Sequence, residues 1–459
     1  MKPSKSDLLR KFHCVPELKF EEQMLTSFSG LILYQRLFIH LKLKSRLRRC
    51  FHHLPGKPQY GAMVIFLMLT LHSLLGYRHL RQQAYYRDDP LVKRILGVTQ
   101  LSDIATVSRT LAQLDQSAND KLQSVLRDMV LNRIRPLSMT HLTLDFDGTV
   151  IGCGRQAEGT AIGFNRKKNG QRSDYPLFCT IAQVGQVFDI LHRSGNVHDS
   201  NGAKHFILEC VDHARKALPN TTLELRMDAA FFSDEIVSAL DDMADVEYSI
   251  SVPFARLTEL KSIIEAKKRW ASIDQRFSYF ERRWKPKSWT TKHRFIFLRQ
   301  KVKQQKKEAL QLDLFEPIEY GQSYTVIITN KKDAAGEVMA FHHGRGSQEG
   351  LFAEMKSQNQ LAYVPSKYWN ANRAYLLAVV FAHNLNRELQ MTDKKPIRDQ
   401  GKKRQALWLF EQVDTLRSKI IQRAGRLLRP QGRLILSMAA NDAVQNQFMD
   451  YMARLDTAA

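Results

Sequence analysis

Cysteine is scarce in this 459-residue sequence: Cys14, Cys50, Cys153, Cys179 and Cys210 are scattered, and no two form a Cys-x-x-Cys pair. That argues against a zinc ribbon or a disulfide framework and fits a reducing cytoplasm. Long apolar runs are missing too. The longest, Ala62 to Leu71, is too short to span a bilayer, and the opening MKPSKSDLLRKFHC has no apolar segment of the signal-peptide kind. Neither membrane nor export is expected, and no internal repeat is visible. Acid is short as well. Between Gln23 and Arg87 there is none, while Arg36, Lys42, Lys44, Arg46, Arg48, Arg49, Lys57, Arg78, Arg81 and Arg87 fall in that stretch.

What is present is basic and globular. Lys+Arg 69 against Asp+Glu 46 leaves a net charge of +23, in a chain 44% hydrophobic and 25% charged. An excess of that size implies a polyanionic partner, nucleic acid before membrane. From Lys261 to Leu310 sixteen Lys and Arg stand against four acids, interleaved with Trp270, Phe277, Tyr279, Phe280, Trp284 and Trp289. A third basic cluster runs Lys394, Lys395, Arg398, Lys402, Lys403, Arg404. Three such clusters favour a phosphate track over ordinary solvated faces.

Length suggests about three domains at ~150 residues each. Residues 1–136 read as a helical, basic DNA-binding domain. They contain the apolar AMVIFLMLTLHSLL and a helix that Asp103 would cap. Thr106-Val107-Ser108-Arg109 within it resembles the start of a recognition helix, but an ordinary amphipathic helix explains it better. From His141 the period changes to two. HLTLDFDGTVIG, PLFCTIAQVG and QVFDILHRSG read as hairpin-linked strands. A helix from Asn201 to Ala217, the strand TLELRMD, the helix SDEIVSALDDM and the strand VEYSISVPF follow. This β-β-β-α-β-α-β order is the ribonuclease-H-like layout, an α/β fold. The expected boundaries are 137–254 for the first part of that core, 255–330 for a β-rich basic insertion, 331–392 for the second part, and 393–459 for a mostly helical C-terminal region with a hairpin at GRLLRPQGRLILS.

Three acidic positions stand out. In LTLDFDGTVI, Thr143, Asp145, Asp147 and Thr149 share one strand face. Two neighbouring carboxylates there repel unless a cation or proton lies between them. In LELRMDAAF, Asp228 closes a strand, where ligands collect, although an acid at such a turn is also a common turn residue. In FHHGRGSQEGLFAEMKSQ, Arg345 and Glu349 are i,i+4 and Lys356 lies seven residues further, on one helical face. Glu354, ~140° around the helix, points elsewhere and is expected to be dispensable.

As an ordered set these segments (DGT at a strand end, R-x-D-x-x-F at the next, R-x-x-x-E with a Lys seven residues on) closely resemble the insertion-sequence DDE transposases. The likeness is to the cut-and-paste subgroup with a β-strand insertion before its third acid, and it covers about His141 to Leu389. The resemblance implies that Asp147, Asp228 and Glu349 are the catalytic, metal-binding acids, with Mg²⁺ or Mn²⁺ as cofactor, two ions per site. Arg345 and Lys356 would be the basic pair of the Y-R-E-K box, which in related enzymes contacts DNA phosphates and is linked to a hairpin intermediate. His342 stands where the box has tyrosine, a departure that puts the hairpin step in question.

The chemistry then expected is metal-dependent cleavage at the inverted-repeat ends of an element and joining of the 3′-OH ends to target DNA. The partners are both DNAs, with a dimer in the synaptic complex and no membrane. Arg166, Lys167 and Lys168 beside Asn165, and Lys42, Lys44, Arg46, Arg48 and Arg49 near the N-terminus, are the expected DNA-binding residues, and an aromatic of the insertion would stack on an unpaired base. Two alternatives stay open. Asp145-Phe146-Asp147-Gly148-Thr149 also matches the DxDGT motif of haloacid-dehalogenase-like phosphatases, with Asp145 as nucleophile. A catalytically inactive DNA-binding relative is the other.

Overall fold

The computed structural model describes residues 15, 17–55, 60–163, 168–197, 202–301, 322–399 and 401–457. After a two-residue strand β1 (Leu25–Thr26), helices α1 (Leu31–His40), α2 (Leu43–Cys50), α3 (Ala62–Leu74), α4 (Pro90–Leu96), α5 (Ile104–Leu111) and α6 (Gln116–Ile134) follow. Carboxylates start three of them. Asp89 accepts from the backbone N–H groups of Leu91 and Val92, Asp103 from Thr106, and Asp115 from Ala118. Thr106 to Arg109 lies in α5, which buries Val107 and Leu111 and leaves Arg109 to bond the Ala105 carbonyl. The amphipathic reading describes it.

A nine-stranded sheet forms the centre. Strand β2 (His141–Gly148) is followed by short β3 (Ile151–Gly152), β4 (Ala161–Ile162) and β5 (Arg172–Asp174), which pair among themselves, then by β6 (Leu177–Ile181) and β7 (Gln186–Leu191). Helix α7 (Ala203–Ala217), β8 (Thr222–Met227), α8 (Asp234–Asp241) and β9 (Val246–Ser251) come next. The meander β2–β6–β7 is antiparallel, whereas β8 runs parallel to both β2 and β9. Alternation decides the faces. Leu144 and Phe146 with Leu223, Leu225 and Met227 bury one side, where Phe206 of α7 meets Phe146 edge-on at 6.0 Å.

The stretch expected as an insertion follows helix α9 (Thr258–Glu265) as β10 (Ala271–Ser272), β11 (Phe277–Trp284), β12 (His293–Lys301) and β13 (Gln322–Thr329). It does not fold as a unit apart. Strand β13 pairs antiparallel with β9, so the sheet runs without a break in the order β10-β11-β12-β13-β9-β8-β2-β6-β7. Its aromatics pack on that sheet rather than offering a platform for a base: Trp289 stacks on Phe232 at 4.7 Å, Phe280 on Phe297 at 4.4 Å, and Trp284 meets Phe295 edge-on.

Helices α10 (Ala335–His343) and α11 (Gly346–Gln358) lie on the sheet's polar side, and α12 (Trp369–Asp393) is buried along most of its length. Its apolar faces join α1 to α6 in one hydrophobic core, with Phe66 edge-on to Phe381 at 5.4 Å and Tyr34 bonded to Asn386. The N-terminal helices therefore share their core with α12 and do not close one alone. Beyond α12 come α13 (Val413–Leu416), the expected hairpin as β14 (Gly425–Leu428) and β15 (Ile435–Met438), joined by β1 at its edge, and α14 (Asp442–Thr457). Among the described residues no helix is long and apolar enough to cross a membrane.

Candidate active site

The polar faces of β2 and β8 meet in rungs. The parallel register sets Thr143 opposite Glu224 and Asp145 opposite Arg226. In the first rung the Thr143 hydroxyl donates to Glu224 at 3.1 Å. Burial alone would raise the Glu224 carboxyl, but Arg404 (2.7 and 3.1 Å) and Lys331 (2.8 Å) outweigh it and hold the carboxylate below its ordinary range. In the second rung Arg226 donates through Nε and Nη2 to Asp145 at 2.5 and 2.7 Å, with 0% and 1% of the side chains exposed. Its Nη1 donates to the carbonyls of Phe341 (3.1 Å) and Lys403 (2.8 Å), and the Phe341 ring covers the guanidinium. Burial pushes the Asp145 carboxyl up and Arg226 pulls it back.

The paired register ends at Phe146 and Met227, and the next residue of each strand is an acid, Asp147 and Asp228. These two strand-end acids make up the third rung. Asp228 caps the turn after β8, accepting from the Ala230 N–H at 2.9 Å, and the Gly148 N–H donates to Asp147 at 2.7 Å. Positive charge arrives from α11. Arg345, at the helix start, reaches Asp147 at 3.3 Å through Nη1 and Glu349 at 3.5 Å through Nη2. Glu349 is in the first turn, where the helix dipole favours an anion, and its side chain is 66% exposed. Gln348, beside it, turns inward and donates to the Asp145 carbonyl at 3.0 Å, which ties the helix to β2. Lys356, two turns on, lines a cleft with Gly148 and Thr149.

The three acids and Arg345 thus gather at one end of the sheet, and Asp145 is locked beneath them. Asp147, Asp228 and Glu349 offer only carboxylate oxygens, the donors that hard divalent cations prefer, so the donor chemistry fits Mg²⁺ or Mn²⁺. Among the described residues no three His, Cys, Asp or Glu side chains form a ready metal cage; the Arg345 guanidinium bonds to Asp147 and Glu349 instead.

Other expectations meet the structure differently. His342 faces the sheet, not the acids. It is buried, with its two ring nitrogens 3.0 and 2.8 Å from the hydroxyls of Ser249 and Ser251 on β9. Burial pushes it down to about 3, so it is a neutral imidazole that fastens α10. Glu354 points away from the acids, as expected, and is tied into the fold. It is nearly buried, paired with Arg387 of α12, and accepts from the Val413 N–H at 2.9 Å. Lys44 and Arg46 are occupied by the Ile95 carbonyl and Asp128, leaving Lys42, Arg48 and Arg49 exposed. In the third basic cluster only Arg404 is drawn into the fold, where it holds Glu224; Lys394, Lys395, Arg398, Lys402 and Lys403 are exposed, Lys402 pairing with Glu337 at the surface and Lys403 holding Arg226 through its backbone carbonyl. Lys168 lines the cleft beside Gly148, while Arg166 and Lys167 lie outside the described residues. Arg226 opens the R-x-D-x-x-F segment, but its sequence context assigns it no role. Its in-phase position two residues before Asp228 is the signal, and only the strand register supplies the partner.

No curated protein matches the sequence. Among solved structures, a piggyBac transposase synaptic complex with hairpin DNA is similar over 83% of this chain and 80% of that one, at 11% identity and a TM-score of 0.40. The family model described as transposase DDE domain group 1 matches residues 10–459, nearly the whole length. The chain belongs to that family of DDE transposases.

Proposed function

We propose that this transposase binds the inverted-repeat ends of an insertion sequence, cuts them by metal-dependent phosphodiester hydrolysis and joins the 3′-OH ends to target DNA. Asp147, Asp228 and Glu349 are its catalytic acids, and strands β7-β6-β2-β8-β9 are its ribonuclease-H-like core. The observation that carries the reading is the third rung: Asp147 and Asp228 each follow directly on the last in-register pair of β2 and β8, and Arg345 links a third acid, Glu349, to Asp147.

Mg²⁺ or Mn²⁺ held by these acids, two ions per site, would activate the attacking oxygen and stabilise the leaving 3′ oxygen. The chain's own residues do the rest. Arg226 neutralises Asp145 and keeps β2 and β8 in step, so that Asp147 and Asp228 stay adjacent. Arg345 and Lys356 meet the scissile phosphate and its neighbour as phosphate partners. Lys42, Arg48, Arg49 and Lys168 follow the DNA backbone, and a dimer holds the two ends. Engagement of Asp145 by Arg226 weighs against the phosphatase reading, because a nucleophile buried in a two-pronged ion pair cannot reach substrate. The test is a gel assay with purified protein, Mg²⁺ and linear DNA carrying the flanking inverted repeats. Strand cleavage at the repeat boundary that vanishes with Asp147→Asn is expected; hydrolysis of a chromogenic phosphate ester that vanishes with Asp145→Asn would overturn the proposal.

A further inference from the structure

Far from the acids, a chain of net charge +23 carries one acidic, apolar arm. Residues 15 and 17–24 lead into β1 with no helix or strand of their own. Val15, Leu18 and Phe20 are 93, 79 and 90% exposed there. Three large apolar side chains within six residues are not the scattered exposure of an ordinary surface. Glu17, Glu21 and Glu22 against Lys19 supply the acid. A cleft of about 890 Å³ lies between the arm's root, Glu21 to Leu25, and Lys93 and Arg94 of α4, so the arm does not pack on the helix behind it.

The sheet from which the arm springs has the complementary surface. Register fixes the faces of β1, β14 and β15. Leu427, with Leu434, Leu436 and Met438, packs into the helical core. The other face turns to solvent: Leu428 stands opposite Ile435, at 37 and 40% exposed, and Arg426 stands between Leu25 and Ser437. From Thr415 to Asn441 there is no acid, and Arg426, Arg429 and Arg433 border the apolar pair at exposed positions. Strand β15 has no strand neighbour besides β14 among the described residues, which leaves its outer edge open. Two bonds fix the arm's root to β14: the Leu427 N–H donates to the Met24 carbonyl at 3.0 Å, and Arg426 Nε to the Gln23 carbonyl at 3.1 Å. The arm thus leaves the sheet beside the hairpin tip, at the rim of the face it matches. It does not use that face in its own chain, where Leu18, Phe20, Leu428 and Ile435 are all exposed.

We infer that the arm of one copy seats on the exposed β14–β15 face of a second copy, and reciprocally. Leu18 and Phe20 fall on one side of an extended segment and cover Leu428 and Ile435. The three glutamates meet Arg426, Arg429 and Arg433. Each copy carries both halves of the contact, arm and face, as a two-fold interface requires. A nucleic-acid strand would satisfy the arginines but leave the apolar pair and the apolar arm uncovered. The inference deepens the reading above only by naming the surface through which its dimer forms.

The test is sedimentation equilibrium of the full chain at tens of micromolar, without DNA or metal. A dimer is expected. One variant combines Glu17→Lys, Glu21→Lys and Glu22→Lys; another combines Arg426→Glu, Arg429→Glu and Arg433→Glu. All six positions are exposed. Each variant sets like charges face to face and should weaken its own dimer at least tenfold. Mixed one to one, the two should pair again, because each arm then meets a hairpin of opposite sign on the other copy; recovery also shows that both are folded. Phe20→Ser, which removes one apolar contact from each arm, should weaken the dimer at least tenfold without any change of charge. A monomeric wild type, a dimer that survives either charge reversal or Phe20→Ser, or a mixture that stays monomeric would overturn the inference, the last by seating the arm on its own chain. So would a hairpin variant that loses duplex affinity in fluorescence anisotropy while its dimer is untouched, which would make the face a phosphate surface. Since the dimer is read without DNA or metal, its failure is separable from failure of the cleavage assay.

Discussion

Replacing Asp145 by Asn separates the load on the second rung from the chemistry of the third. The change keeps the side-chain volume but leaves the Arg226 guanidinium buried with one charge uncompensated, since its other acceptors are the neutral carbonyls of Phe341 and Lys403. Breaking a buried ion pair from one side costs about 3–5 kcal/mol, against a net stability of about 5–15 kcal/mol for a folded protein. Asp147→Asn removes a charge from a longer, partly exposed contact with Arg345, and such a pair contributes about 0–1 kcal/mol. Equilibrium urea unfolding followed by far-UV circular dichroism should therefore place Asp145→Asn well below wild type and Asp147→Asn close to it. Cleavage should rank them oppositely, with Asp147→Asn inactive and Asp145→Asn retaining activity at temperatures where it stays folded. Removing both charges with Asp145→Leu and Arg226→Met should cost less than the sum of the single changes, with a coupling of about 1–3 kcal/mol. Unfolding of Asp145→Asn at the wild-type urea concentration, or equal shifts in the two single variants, would refute this role of the buried pair.

Other outcomes follow from the same geometry. Asp228→Asn and Glu349→Gln should abolish nicking yet fold and bind end DNA, since Asn still caps the turn at 228 and Glu349 is largely exposed; a gel resolving bound from cleaved ends reads both. Glu354→Gln should lose about 3–5 kcal/mol through its buried Arg387 partner, measured by thermal or urea unfolding, rather than behave as a silent neighbour. Acid should unfold the protein early. Burial pushes His342 and His383 down to about 3 and His72 to about 4. Each is neutral when folded but takes a proton when unfolded below its ordinary value of 6.5, so stability present above pH 6.5 drains away as pH falls toward 3–4, by about 2 kcal/mol per histidine at pH 5. Unfolding curves at pH 7.5 and 5 check this, and a His342→Asn variant should show a shallower dependence. Neutralising Arg48 and Arg49 should flatten the duplex salt slope by about 1.8, and neutralising Lys44 and Arg46 by much less, because the latter pair is engaged within the fold.

The elements that carry the acids were legible because their signals are local. Alternation in LTLDFDG and LELRM gives two strands, and the spacing of Arg345, Glu349 and Lys356 gives one helical face. What the sequence could not convey is who stands opposite whom. Asp145 and Arg226 are 81 residues apart, and only a parallel register, fixed by the apolar residues on the other face, makes them partners. The same limit hid how the insertion joins the core. Strands β11 to β13 have a pattern that suits either a separate unit or an extension of the sheet, and the pairing of Ile327 to Thr329 with Ser249 to Ser251 decides for extension. Charge misled where cations are engaged within the fold: Lys44, Arg46 and Arg404 read as parts of a phosphate track and instead bond the Ile95 carbonyl, Asp128 and Glu224. His342 looked like a variant of a catalytic box and is a clasp between a helix and two serines.

The joint core of α3 and α12 has a consequence during synthesis. Phe66 and its apolar neighbours are finished about 300 residues before the helix that covers them emerges. At 5–20 residues per second, the ribosome leaves that surface without its native cover for roughly 15–60 s. A nascent chain in that interval presents a greasy stripe, and only the positive charge of the acid-free stretch around it keeps like neighbours apart. Premature termination anywhere before Trp369 should therefore yield not a small DNA-binding fragment but an aggregation-prone remnant, and the yield of active protein should hinge on how quickly the message between α3 and α12 is read.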